Sequence, residues 1–208
     1  MANAVDWISL TEAKNALNIG ASDTSQDTDI AAYVTGVSQA LDGSVGPGVV
    51  RTLTAELHSG GDSVGRERIY LRYRPVSSIT SITEYAYTTA QALTAESNSV
   101  KPAEGYHVEL KQGVITRRSS GGTARFPIGK DNISVTYIAG RFADTASVDA
   151  NFKRAAEMTL LHNWRREQGM GTVSFPELGS DDLLTPTFAI PRAALQFLPR
   201  EGLAPLLG

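Results

Sequence analysis

The sequence predicts an α+β protein: a small helical bundle formed by N- and C-terminal helices, with an inserted antiparallel β lobe and an extended C-terminal tail. Apolar residues recur at helical spacing near both ends of the chain, alternate with polar residues in the middle, and crowd between prolines at the C-terminus. A length of 208 residues suits one domain with a sizeable insertion. We expect the N-terminal helices in residues 1–48 and the inserted β lobe in 49–140. The long C-terminal helix and its loop, packed on the N-terminal helices, are expected in 141–185, and the apolar tail in 186–208.

Two N-terminal helices are predicted from a cap and from periodicity. Ser9 and Glu12 have the spacing of a capping box, which predicts a helix through Leu17. A second helix is predicted between Thr28 and Gly43, because four apolar residues recur there at intervals of three and four. These residues are Ile30, Val34, Val37 and Leu41.

The middle of the chain is rich in Thr, Val, Ile, Tyr and Gly and predicts strands and turns. Residues 88–101 are rich in Ala, Thr and Ser with little apolar content, so we expect a mobile loop there. The predicted strands cover residues 51–57, 67–73, 76–85, 106–110, 114–118 and 132–139.

A long helix capped by Ser147 is predicted next, with an apolar face that runs from Val148 to Trp164. A loop is expected up to residue 185, followed by an apolar tail over residues 186–208 with prolines at intervals. Such a tail either packs back onto the body of the protein or binds a partner. The sequence favours neither interpretation.

Composition and charge exclude several classes of protein. The chain has no cysteine, which excludes disulfides, cysteine-ligated metals and a cysteine nucleophile. Its net charge of −3 is too balanced for a protein that coats nucleic acid, although the first 60 residues hold only two basic residues against seven acidic ones. The N-terminus does not resemble a signal peptide and no apolar run could span a membrane, so we expect a soluble, unexported protein with no membrane contact.

Catalytic and metal motifs are weak. Ser63 lies in a G-x-S-x-G sequence, but a predicted strand follows it where a nucleophile elbow requires a helix, which favours a turn. His58, His107 and His162 lack the spacing of a helical metal pair, and His58 and His107 are best interpreted as surface residues. We therefore predict no catalytic residue, metal or cofactor.

One predicted strand has a basic face. Because side chains alternate between the two faces of a strand, residues 66, 68, 70, 72 and 74 share one face. The shared face is either a solvated surface whose arginines pair with nearby acids, or a binding surface for phosphates or an acidic protein. Its residues are Arg66, Arg68, Tyr70, Arg72 and Arg74.

Several short sequence segments occur in an order that resembles one known protein family. Leu-Thr-Glu-Ala-Lys at 10–14 opens the first helix, and Pro-Val-Ser-Ser-Ile-Thr-Ser-Ile occupies 75–82. Asn-Ile-Ser-Val-Thr-Tyr-Ile-Ala-Gly follows at 132–140, then Trp-Arg-Arg-Glu-Gln-Gly at 164–169 and an apolar segment at 188–198. This order resembles the tailed-phage head–tail connector family, also called head-completion adaptors, although the strand block is longer than in compact members of that family.

The resemblance implies a non-enzymatic virion protein, made in the bacterial host cytoplasm and located at the head–tail interface. Such adaptors are expected to form a homo-oligomeric ring, a dodecamer matching the portal's symmetry, on the portal vertex after DNA packaging. The implied partners are the portal protein, the neck stopper or tail proteins, and other copies of the chain. DNA would pass through the ring without sequence-specific binding.

The resemblance also implies that the C-terminal segment docks on the portal. Apolar and aromatic anchors dominate the energy of protein interfaces, so the apolar residues of this segment are the predicted anchors. They are Phe188, Ile190, Leu195, Phe197 and Leu198.

Two other functions remain as alternatives. The strand block could bind a ligand such as a carbohydrate through tyrosines on one exposed face, with Tyr70, Tyr85, Tyr87 and Tyr106 available. A less favoured alternative is a serine hydrolase that uses Ser63, which labelling by a fluorophosphonate probe would reveal.

Overall fold

The computed structural model of the protein describes residues 3–167 and 189–199. Its chain divides into two compact units, of which the first combines the described residues up to Val49 with those from Phe142 onward. The second unit consists of Val50–Arg141. Helices build the first unit and strands the second, which confirms the α+β prediction.

The helical unit packs its helices around one apolar core. Its helices are α1 at Leu10–Leu17, α2 at Asp27–Val45, α3 at Ala150–Glu167 and the short α4 at Arg192–Leu195. Both α1 and α2 contact α3, and α4 lies against α3. The core includes Trp7, Ile8, Ile30, Val34, Val37, Leu41, Phe152, Ala155, Ala156 and Leu160.

The capping box at α1 is confirmed and the predicted cap of α3 is wrong. Ser9 Oγ accepts the Glu12 N–H at 3.2 Å, and the Glu12 carboxylate accepts the Ser9 N–H at 2.8 Å. The Ser147 hydroxyl instead accepts from the Asp144 N–H and donates to the Asp144 carbonyl. Ser147 therefore closes a turn, and α3 begins only at Ala150.

A buried polar contact ties the N-terminus to α2 and to the segment that follows it. Trp7 Nε1 donates to Asp42 Oδ1 at 2.8 Å, and the Gly48 N–H donates to the same oxygen at 2.8 Å. A Cβ at Gly48 would lie 2.4 Å from the Trp7 ring nitrogen, so glycine is required for this approach. Beyond Gly48, Val49 and Phe142 pair as a β-bridge, which places the two ends of the inserted strand block side by side.

The second unit contains two sheets. The strands are β1 Arg51–His58, β2 Arg68–Tyr70, β3 Val76–Ala86, β4 Thr89–Ala92, β5 Thr94–Ala95, β6 Gly105–Glu109, β7 Val114–Ser119, β8 Gly122–Thr123 and β9 Ile133–Ala139. One sheet has the strand order β1-β9-β3-β4, and the other has the order β2-β7-β6-β5 with β8 paired to β7. All neighbouring strands are antiparallel except β5 and β6.

The predicted mobile loop at residues 88–101 contains β4 and β5, so that expectation was wrong. Strand β4 extends the first sheet through backbone pairing with β3, in which Thr83 faces Ala92 and Tyr85 faces Ala90. Its four side chains are all exposed. Because backbone hydrogen bonds need no apolar side chain, the apolar pattern used to predict strands was missing from an edge strand of this kind.

The core of the second unit holds one buried ion cluster. Arg117 is 5% exposed, and its guanidinium donates two hydrogen bonds, of 2.9 and 2.8 Å, to the Glu84 carboxylate. It also binds the Glu104 carboxylate and the Gly105 carbonyl. Burial would lower the pKa of Arg117, but the hydrogen bonds to Glu84 and Glu104 raise it instead, so the guanidinium stays charged.

No helix in the described part of the chain is long and apolar enough to cross a membrane.

Candidate interaction surfaces

The C-terminal segment is held to the helical unit by one buried amide. Asn163 on α3 is 7% exposed. Its Oδ1 accepts the Ala189 N–H at 3.1 Å, and its Nδ2 donates to the Ala189 carbonyl at 3.0 Å. The same Nδ2 donates to the Thr159 carbonyl at 2.8 Å. This pair of contacts fixes where residues 189–199 begin on the surface of α3.

Three apolar side chains dock this segment. Ala194 and Leu198 are buried in the helical core, and Ile190 packs against that core. Ala194 lies in α4, whereas Ile190 precedes that helix and Leu198 follows it. Ala194 was not among the predicted anchors, although Ile190, Ala194 and Leu198 recur at intervals of four residues.

The predicted anchors therefore occupy different environments. Leu198 is buried in the core of its own subunit, and the partly buried Ile190 packs against that core. Leu195 is 42% exposed and Phe197 is 39% exposed. Phe188 lies outside the described residues. Within this one short segment, some apolar residues therefore pack onto the helical core and others are exposed.

The basic strand is shorter than predicted. Residues 67–73 were expected to form one strand, but β2 spans only Arg68–Tyr70, and the chain bends over 72–75. Arg72 and Arg74 therefore lie beyond the strand. The Arg72 guanidinium lies 5.4 Å from the centre of the Tyr73 ring, and Arg74 donates to the Gln112 carbonyl at 3.4 Å.

The part of the basic face that remains is carried by a well-registered sheet. Arg68 lies opposite Thr116 on β7, and Thr116 lies opposite His107 on β6. Arg68 and His107 are exposed, and Ile69 and Ile115 of the neighbouring row are buried in the core. Since directly paired residues share a face, this row lies on the outer face of the sheet.

Several basic residues near this face pair with acids in the manner of a solvated surface. Arg125 pairs with Glu67 at 3.1 Å, and Arg118 pairs with Glu96 at 2.8 Å. Among the described residues, Arg66 and Arg68 make no ion pair, and both are exposed. Arg118 and Arg125 were not part of the predicted basic face, and the binding role of Arg66 and Arg68 stays a prediction.

A polar cluster that sequence analysis missed lies between β1 and β9. Glu56 accepts the Tyr137 hydroxyl at 2.6 Å and the Arg72 N–H at 3.0 Å, and His58 Nε2 lies 2.8 Å from Glu56 Oε1. His58 is thus a half-buried partner of Glu56 and not the surface residue that was expected. Burial alone would raise the pKa of Glu56, but these hydrogen bonds lower it, so the carboxylate stays ionised.

The residues proposed for a serine hydrolase or for a ligand-binding face do not come together in one site. Ser63 lies in the turn between β1 and β2, and a strand follows it. Tyr106 is 6% exposed, whereas Tyr70 and Tyr85 lie on strands of different sheets. No group of three acidic or histidine side chains within the described ranges could hold a metal ion.

Comparisons with known proteins identify a shared fold. No family model and no curated protein match the sequence. A solved structure described as the neck of an empty GTA particle, computed with C6 symmetry, contains a chain that matches with a TM-score of 0.50 and 15% identity. The match covers 79% of this chain and 84% of that chain. At this identity it establishes a likeness of fold.

Proposed function

We propose that this chain is a virion structural protein at the neck of a tailed phage or phage-like particle. In this role it is a head-to-tail adaptor that forms a ring on the portal vertex after DNA packaging. The ring gives the stopper and tail proteins a platform, and DNA passes through it without sequence-specific contacts. The single observation that carries the proposal is the fold shared with a neck chain over 79% of this sequence.

Two further observations support the proposal. The order of segments along the sequence resembles the head–tail connector family from the first helix to residue 198. In addition, residues 189–199 present apolar side chains from a fixed position, which is what a preformed docking segment requires.

We infer that Leu195 and Phe197 carry contacts to the portal. Both side chains are exposed, although their backbone is held by the docked residues Ile190, Ala194 and Leu198. A rigid segment with exposed apolar residues loses little conformational entropy when it binds. Phe188 remains a proposed anchor that precedes the docked residues in the chain.

The portal contact is tested by supplying variants to a phage that lacks this gene. We expect the double variant Leu195→Asp/Phe197→Asp to leave DNA-filled heads without tails and to reduce the titre at least about 100-fold, because two buried interface anchors would be lost. The matched control is Ala193→Asp/Gln196→Asp, which places two charges at exposed positions of the same segment. A normal titre with the first variant would overturn the portal contact, and normal particles without the gene would overturn the proposed function.

A further inference from the structure

The outer face of β2, β7 and β6 carries exposed arginines on a fixed backbone. Arg68 is part of β2, and the backbone of Arg66 is held by hydrogen bonds to Gly60 at 2.7 Å and Phe126 at 2.8 Å. The Glu67 carbonyl accepts the Arg117 N–H, and the Ile69 side chain is buried. The backbone that carries the two arginines is therefore preorganised, and their guanidinium groups are exposed.

A second surface of the same chain is acidic. Between Lys14 and Arg51 the sequence contains no Lys, Arg or His. Lys14 is itself buried, and its ammonium binds the Asp27 carboxylate and the carbonyls of Ala21 and Asp23. The exposed charges over residues 15–50 are thus negative.

The acidic loop between α1 and α2 is well defined. The Asp23 carboxylate accepts the Ser25 hydroxyl at 2.6 Å and the Ser25 N–H at 3.0 Å, and both bonds lower its pKa. Asp29 is exposed in the first turn of α2, where the helix dipole favours a negative charge. Neither the Asp23 carboxylate nor the Asp29 carboxylate makes an ion pair among the described residues.

We infer that the outer face of β2, β7 and β6, centred on Arg66 and Arg68, binds the acidic loop of residues 21–29 of an adjacent copy of this chain. The inference rests on the proposed ring and names the contact between its subunits. The two surfaces differ in sequence and in sign of charge, so a contact between them is heterologous. Contacts of that type build rings, whereas a self-complementary patch gives dimers.

A second copy fits this face better than DNA. The face also carries the exposed aromatic ring of Tyr70 and the carboxylate of Glu109, which lies opposite Val114 beside Tyr70 in the sheet. Arginine and tyrosine are both enriched in protein–protein interfaces, whereas binding to the phosphates of DNA draws on cations.

Charge reversal followed by charge exchange tests the contact. Arg66→Glu/Arg68→Glu and Asp23→Lys/Asp29→Lys are supplied separately to a phage that lacks the gene, and the copies retained per particle and the titre are measured. We expect each double variant to reduce both at least about tenfold, since like charges then face each other across the interface. The quadruple variant should restore both, because the attraction is rebuilt with opposite sign.

Two controls keep the result interpretable. Lys111→Glu/Lys130→Glu reverses two exposed charges elsewhere in the same unit and should leave particles normal. Thermal melting of each purified variant checks that it is folded. If the Asp23 variant is unfolded through loss of its turn, the single exchange Arg68→Glu with Asp29→Lys replaces the quadruple variant.

Cross-linking provides a direct readout because the chain has no cysteine. Subunits with Arg68→Cys and subunits with Asp29→Cys are co-assembled and oxidised. A disulfide-linked dimer that forms only in the mixture is expected. Dimers from Arg68→Cys subunits alone would contradict the inference, because they indicate a self-complementary contact.

Three further outcomes distinguish failure of this interface from failure of the proposed neck role. Normal retention and titre with both reversed variants would overturn this interface while leaving the proposed neck role intact. Loss of packaged DNA with Arg66→Glu/Arg68→Glu, at normal subunit retention and without restoration by the quadruple variant, would assign the face to phosphates and overturn the inference. Normal particles without the gene would overturn the neck role itself.

Discussion

At the scale of single residues, polar side chains with several partners hold this molecule together. Asn163 satisfies both backbone groups of Ala189 and one carbonyl of its own helix. Glu56 accepts hydrogen bonds from Tyr137 on β9 and from the bend after β2, and lies 2.8 Å from His58 Nε2 on β1. A buried polar group that loses its partner costs more than the lost bond contributed, so these residues are sensitive positions.

Replacing Asn163 by alanine should loosen the C-terminal segment. The Ala189 N–H and carbonyl would lose their partners, and we expect the free energy of unfolding to fall by about 1–3 kcal/mol. Thermal or urea denaturation measures the change. His162→Ala, an exposed neighbour on the same helix, is the matched control and should stay within about 0.5 kcal/mol of the parent. Equal stability of the two variants would contradict the role assigned to Asn163.

Glu56 should contribute stability that depends on pH. Folding lowers the pKa of Glu56 below its ordinary value of 4.5, so its contribution to stability is complete above 4.5 and is lost as pH falls through the lower folded pKa. Glu56→Gln should therefore be less stable than the parent near neutral pH, and the gap should narrow as the solution is acidified below about 4.5. Urea denaturation across this range measures the gap. A gap that stays constant with pH would show that ionisation of Glu56 is not involved.

At the scale of elements, the segment from Ala189 to Pro199 shows how one short stretch serves two purposes. Ala194 and Leu198 enter the core, and the exposed residues Leu195 and Phe197 are fixed by that docking. The positions of Leu195 and Phe197, the proposed portal anchors, thus depend on the buried side chains of Ala194 and Leu198.

Ala194→Glu should undock this segment, and Ala193→Glu should not. Ala194 is 0% exposed, so a glutamate there would bury a charge or force the helix off the core. Trypsin cleavage after the exposed Arg192 measures the opening. We expect cleavage to be at least about tenfold faster in Ala194→Glu than in the control at Ala193, which is exposed. Equal cleavage rates would indicate that the segment is not held by Ala194.

At the scale of the whole molecule, the strand block is an insertion between two parts of a helical unit. The paired Val49 and Phe142 belong to the helical unit, and the Phe142 N–H donates to the Gly48 carbonyl at 2.9 Å. The helical core contains no residue of Val50–Arg141.

Replacing residues 50–141 by a short Gly/Ser linker should therefore leave a folded helical protein. The linker needs to span only a neighbouring pair of backbones, which costs little loop entropy. Circular dichroism with thermal melting should show a helical spectrum and a cooperative transition. A non-cooperative melt would indicate that the helical unit needs the strand block to fold.

The sequence predicted some features well because their signals are local. The Ser9–Glu12 capping box is a contact within one turn, and the alternation in β9 follows from a strand whose side chains alternate between buried and half-buried. The arginine strand was predicted too long because the alternation of residue types continues through the bend at 72–75, beyond Tyr70, where pairing with β7 ends. Asn163 and Glu56 were missed because their partners are distant in sequence and leave no local pattern.

The most direct test of the proposed neck role is electron microscopy of particles made by a phage that carries this gene and by the same phage with the gene deleted. We expect the deletion to yield DNA-filled or leaking heads beside separate, complete tails, and we expect tailed particles to return when the protein is supplied. Intact infectious particles from the deletion phage would contradict this expectation.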